Sequence, residues 1–223
     1  MKQHYQYLPI VAVFYSIAMV SSGLLTYKFI NVFGIVACGA SFIVPIWYLL
    51  GDVITEVYGY RICRRLIWAT LVAYIFYAAL IKITINLPPP PAWNLQNEYQ
   101  DVLGIFLRVS LAGTIASLIG GFANSYLLSK WKILLRGKHF SIRSLGSSII
   151  GQFLFVILVN FTAFSGNVSV NEILQIMIIS MLIKIICSAI CIIPSSFLVV
   201  FLKNKEKIDV FDNNINYNPF KLF

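Results

Sequence analysis

Long apolar runs separated by short, mostly basic stretches dominate this chain. The runs cover Leu8 to Ile30, Gly39 to Tyr60, Leu66 to Leu87, Val102 to Leu128, Ser144 to Ser165 and Asn171 to Leu202. A helix rises 1.5 Å per residue, so about 20 apolar residues cross the roughly 30 Å hydrocarbon core of a bilayer. Every run reaches that length, and the last exceeds it enough to tilt or protrude. The first is too long for the apolar core of a signal peptide and predicts a retained helix. The expected fold is an all-α, polytopic integral membrane protein of about six transmembrane helices. Residues 1–223 are expected to form a single transmembrane helical bundle domain.

Basic residues between the runs set the orientation. Lys2 precedes the first run, and Arg61, Arg64 and Arg65 separate the second from the third. Lys130, Lys132, Arg136, Lys138 and Arg143 separate the fourth from the fifth, and Lys203, Lys205, Lys207 and Lys221 follow the sixth. All fall on one side if each run crosses once, and short loops rich in lysine and arginine stay cytoplasmic. Both termini are therefore expected in the cytoplasm of a multi-pass protein of the bacterial inner membrane. The opposite loops carry Glu98, Asp101 and Glu172. One missed or invented helix would scramble this alternation, so the charges support the span count independently. The outer stretch Pro88 to Trp93 is expected to be an extended connector with an interfacial aromatic.

Composition agrees with lipid burial: 59% hydrophobic and 11% charged residues with a mean hydropathy of +0.84 do not suit a soluble domain. A net charge of +9 would suggest nucleic acid in a soluble protein. Here the charges sit at helix ends, so the expected partner is the bilayer and no nucleic acid. Cys38, Cys63, Cys187 and Cys191 lack metal-ligand spacing with histidine, so no metal, cofactor or disulfide framework is expected. His4 and His139 lie outside the runs, and Asp52 has no second membrane aspartate beside it. The nucleophile and base pairings of membrane proteases are thus missing, and no enzyme is expected.

Several polar groups nevertheless fall inside the runs. Asp52 and Glu56 are four apart on one helical face, a mildly repulsive pairing in isolation. A charge at a span centre costs on the order of 2.5 to 3.5 kcal/mol on insertion scales, so it needs a partner or a task. Glu56 has a bland alternative, a surface pair with Arg64. Counted from the outer ends of their spans, Asp52 and Lys184 both lie roughly 20 Å deep, which predicts that Lys184 approaches Asp52 or Glu56. Arg108, nearer a span end, either snorkels outward or serves the path. Gly113, Ser117 and Gly121 recur every fourth residue and predict close helix packing. Asn124, Ser147, Ser148 and Gln152 are amides and hydroxyls able to join helices or read a ligand. Pro45 and Pro194 interrupt the same two spans that carry Asp52 and Lys184, as in transporters with broken helices.

The string LLGDVITEVYGYRICRRLIW, Leu49 to Trp68, closely resembles the signature of the vitamin uptake transporter family, whose bacterial members include queuosine precursor transporters. LPPPPAWNLQNEY, NSYLLSKWKILLRGK, RSLGSSIIGQ and the tail DVFDNNINYNPF extend the resemblance over nearly the whole chain. The chain departs from the family pattern at Phe155, Ser188 and Gly23, where relatives carry an acid, a glutamate and an asparagine. The resemblance implies import of 7-deazaguanine bases: 7-cyano-7-deazaguanine, its 7-aminomethyl form, or queuine. A guanine-like edge offers two adjacent N–H donors and a carbonyl. Asp52 or Glu56 would take the donors, and Gln152, Asn124, Arg143 or Lys184 the carbonyl. Trp47 or Tyr58 would stack on the ring, unless they are interface aromatics. With Arg108, these form the candidate substrate-binding set. The competing reading is the substrate-capture subunit of an ATP-driven vitamin importer. A homodimer is left open.

Overall fold

The computed structural model describes residues 5–26, 28–32, 35–164 and 170–221. Lys2, His4 and Ser165 lie outside the described residues. In chain order the elements are α1 (Leu8–Leu24), β1 (Phe29–Val32), β2 (Ile35–Cys38), α2 (Ala40–Tyr58), α3 (Tyr60–Ile85), α4 (Gln96–Leu103), α5 (Phe106–Leu134), α6 (Phe140–Phe164) and α7 (Val170–Glu206). Helices α2, α3, α5, α6 and α7 are long and apolar enough to cross a bilayer, whereas α1 is apolar but has 17 residues. The all-α polytopic fold follows, and its outward surface is correspondingly apolar, with Phe14, Phe76, Ile119, Ile186 and Phe197 exposed.

The first apolar run does not stay helical to Ile30. It leaves the helix after Leu24 and forms an antiparallel hairpin, with Phe29 opposite Cys38 and Ile30 opposite Ala37. A continuous apolar run fits either period, and the aromatic and β-branched content of Phe29–Val32 and Ile35–Cys38 favours pleated backbone. The Gly39 amide donates to the Lys28 carbonyl at 2.8 Å and leads the chain directly into α2.

Arg61, Arg64 and Arg65 are not in a loop. Only Gly59 separates α2 from α3, and the three arginines occupy the first turns of α3. Gly59 has φ of +86°, a conformation that a side chain resists, and a Cβ there would lie 2.8 Å from the Val210 Cγ1. Pro45 and Pro194 lie inside α2 and α7, each removing one helical hydrogen bond. A close helix approach lies one position off the predicted stripe. A Cβ on Gly120 would meet the Gly151 carbonyl at 2.5 Å, and one on Gly151 would meet the Gly120 carbonyl at 2.7 Å, so α5 and α6 touch backbone to backbone. Positions 113 and 121 have ordinary clearance.

Residues 207–221 fold back over the basic end of the bundle. The Asp212 carboxylate accepts from the Tyr60 amide at the start of α3 (2.9 Å) and from the Ser129 hydroxyl (2.6 Å). Arg64 donates to the carbonyls of Asn216 and Asn218, and Trp68 Nε1 to that of Pro219. This segment is thus strapped across α2, α3 and α5.

Candidate functional site

Helix α2 is the most enclosed span and carries the site. Its face from Trp47 to Tyr58 is buried almost continuously, and both Asp52 and Glu56 are 0% exposed. The two carboxylates, one turn apart, have different surroundings. Asp52 Oδ1 accepts from Asn124 Nδ2 at 2.6 Å, and Oδ2 accepts from the hydroxyls of Ser144 (2.5 Å) and Ser148 (2.8 Å). All three donors are neutral, supplied by α5 and α6 where the Gly120–Gly151 contact draws those helices together.

Glu56 instead sits in a cationic cage. Arg143 grips it through two nitrogens, at 2.8 and 3.2 Å; Lys203 donates at 2.7 Å, and the Lys132 ammonium lies 3.8 Å away. Lys132 also donates to the Glu56 backbone carbonyl, to Asp209 and to the Val210 carbonyl. Lys203 reaches Asp209 at 2.9 Å. Three cations and two carboxylates therefore lie between Asp52 and the basic face, with the C-terminal strap over them. For Asp209, partial burial alone would raise its pKa. Hydrogen bonds and charge from Lys132 and Lys203 outweigh that and hold it below the ordinary value.

The predicted approach of Lys184 to Asp52 or Glu56 does not occur. Its ammonium donates to Ser180 at 2.5 Å and to Ser41, in the first turn of α2, at 3.4 Å. Ser41 precedes Asp52 by 11 residues, about 16 Å along the helix. Depth counted from each helix's own start misled here. With Lys184 level with Ser41, α7 starts about 13 residues, or roughly 20 Å, beyond the start of α2. Nor does Glu56 pair with Arg64, whose Nη1 donates to the strap carbonyls of Asn216 and Asn218.

Arg108 and Tyr58 also fall outside the centre. Arg108 is exposed near the start of α5, 16 residues or about 24 Å from Asn124. Tyr58 lies at the basic end, donating to Glu206 at 2.9 Å with its ring edge-on to Tyr5. Trp47 does sit centrally, its ring 4.1 Å from that of Tyr48 and 6.1 Å from that of Phe155. Thus Phe155 builds the aromatic wall, and Ser188 accepts from Gln152 Nε2 at 3.0 Å. Gly23 abuts the Tyr74 ring.

Three buried polar atoms in this region have no hydrogen-bond partner among the described residues: Trp47 Nε1, Asn124 Oδ1 and Gln152 Oε1. Such groups cost on the order of 1 to 3 kcal/mol each when left unmade. An ordered water or a polar ligand completes such a group. Asp52 and Asn124 are thus in contact, Gln152 lies one turn beyond Ser148 on α6, Trp47 lies five residues before Asp52 on α2, and Glu56 with Arg143 lies one turn towards the basic face. Residues that the sequence reading passed over are Tyr48, which donates to the Gly151 carbonyl (2.9 Å), Ser144, Lys132 and Lys203. Lys132 had a readable signal: it follows Asn124 by eight residues, on the same helical face.

A bundle of apolar helices around buried carboxylates, amides and cations defines a polytopic membrane protein with a polar interior, where ionisable groups mark functional sites. The family model described as "Putative vitamin uptake transporter" matches residues 38–199. The chain belongs to the vitamin uptake transporter family, and is a transporter rather than an enzyme. No curated protein and no solved structure matches it.

Proposed function

We propose that this transporter imports queuosine precursors, the 7-deazaguanine bases, across the bacterial inner membrane, with its basic face in the cytoplasm. The observation that supports this reading is the surroundings of Asp52. A buried carboxylate held by neutral donors alone can exchange two hydroxyls for the adjacent N–H groups of a guanine-like edge without breaking an ion pair. Asn124, Gln152 and Trp47 supply unpaired polar atoms beside it for the rest of the ring. The Glu56 cage acts as the inner gate: its ion pairs close the path below Asp52 and separate when α2 rocks away from α6, which carries Arg143, and from α7, which carries Lys203.

The test uses a host unable to make the bases and expressing this chain alone. Supplying each base in turn should restore queuosine to its tRNA for at least one, and Asp52→Asn should abolish the restoration at low base concentration. Restoration without any partner ATPase also excludes the capture-subunit alternative. No response to any deazaguanine overturns the proposed solute and leaves the family and fold untouched.

A further inference from the structure

A second polar site lies away from Asp52, on the side opposite the basic face. There α1, the hairpin, α2, α6 and α7 enclose a cavity of about 40 Å³, whose polar lining is Ser22, Thr26, Cys38, Asn160, Ser180 and Lys184. That volume exceeds the roughly 10 to 15 Å³ needed to admit one water. It is far below the roughly 300 Å³ or more of pockets for organic ligands.

Lys184 is only 4% exposed. No carboxylate among the described residues hydrogen-bonds or pairs with it. Asp52 is about 16 Å down α2 from its Ser41 contact, and Glu172 is 12 residues, about 18 Å, earlier on α7. Glu98 and Asp101 lie on α4, and Glu56, Glu206, Asp209 and Asp212 belong to the basic end. The ammonium also meets the first turn of α2, the positive end of that helix's dipole. Two positive features therefore share one small cavity, and no carboxylate among the described residues is paired with the ammonium, a costly arrangement.

Counting donors sharpens the point. The ammonium has three N–H groups and the two serines one O–H each. Lys184 uses one on Ser180 and one on Ser41, and a single hydroxyl proton joins Ser41 to Ser180 at 2.9 Å. One ammonium N–H and one hydroxyl of the serine pair remain beyond these bonds, and of the two serines Ser180 lines the cavity. We infer that this cavity binds a small monovalent anion, of the halide or carboxylate class, held by Lys184 and Ser180 at the N-terminal turn of α2, with Ser41 fixing both side chains from behind. Bound there, the anion neutralises the lysine and fastens the hairpin, α2 and α7 to one another, whatever solute passes Asp52.

The experiment follows thermal unfolding of the purified full chain in detergent at constant ionic strength. Gluconate, a carboxylate too large for the cavity, is replaced stepwise by chloride, bromide or acetate. The expected result is a saturable rise in Tm of a few degrees, on the order of that produced by a ligand well above its Kd. A rise with both halides identifies a free-ion site, and a rise with acetate alone identifies a carboxylate site. Lys184→Gln should lose the rise, and Ser180→Ala, which keeps the ammonium, should move the midpoint to roughly tenfold higher anion concentration, the equivalent of one lost hydrogen bond. A wild-type Tm equal in all four salts overturns the inference. So does a rise that Lys184→Gln retains in full, or, where that variant does not fold, a midpoint that Ser180→Ala leaves unmoved.

Discussion

Replacing Glu56 by glutamine removes the carboxylate around which Arg143, Lys203 and Lys132 are gathered. The Arg143 and Glu56 side chains are 1% and 0% exposed, at 2.8 Å, and Lys132 is 3% exposed. Their cations would then face each other with Asp209 as the remaining counter-charge, itself 43% exposed. Breaking a buried pair by removing one partner costs about 3 to 5 kcal/mol, because the survivor keeps its desolvation penalty. For a chain of this size each kcal/mol moves Tm by roughly 2 to 4 °C, so Glu56→Gln should lower Tm by about 6 to 20 °C. The assay is thermal unfolding of the purified protein, run as a double-mutant cycle with Lys203→Met. Removing the surplus cation should return part of the loss, so the double variant should unfold above Glu56→Gln alone. A loss below about 1 kcal/mol, the range of exposed ion pairs, would refute the reasoning. So would strict additivity in the cycle.

Two further outcomes follow from the basic face. Gly59→Ala forces a side chain into positive φ and against Val210, which should cost roughly 1 to 2 kcal/mol and loosen the strap. Faster proteolysis between positions 207 and 221, with Gly59→Ala unfolding at lower Tm, would show it; wild-type protection would not fit. Asp209 is held below its ordinary value by Lys132 and Lys203. A carboxylate with a depressed folded-state pKa contributes stability that is full above its unfolded pKa and lost as pH falls through the folded one. The Tm advantage of wild type over Asp209→Asn should therefore be constant above about pH 4 and shrink below it; an advantage that grows on acidification contradicts the assignment.

The spans were legible because lipid demands long apolar runs and basic residues mark one side. The buried carboxylates were legible because a charge inside a run has few bland explanations, whereas Asn124, Gln152 and Arg143 became candidates for the solute only through the family resemblance, Arg143 having been counted among the basic residues between two runs. The hairpin was not, since Phe29–Cys38 is as apolar as the helices flanking it and periodicity does not separate the two. The partner of Lys184 was misjudged because residue counting gives depth only along one helix, and the relative height of α2 and α7 is set by packing. Lys132 and Lys203 were read as surface charges of loops; α5 and α7 carry helix past them and turn them inward. The strap was invisible as structure because its bonds to α3 and α5 join positions some 80 to 150 apart in sequence, as with Ser129 or Tyr60 and Asp212.

In the proposed function Asp52, held by neutral donors in the second half of α2, is the group that binds the solute. Equilibrium binding of 7-cyano-7-deazaguanine to the purified protein tests it most directly, comparing wild type with Asp52→Asn. Hydrogen bonds to a charged acceptor contribute about 1.5 to 3 kcal/mol, so the variant should bind at least roughly tenfold more weakly while unfolding as a stable protein. Equal affinity in the two proteins would contradict the account.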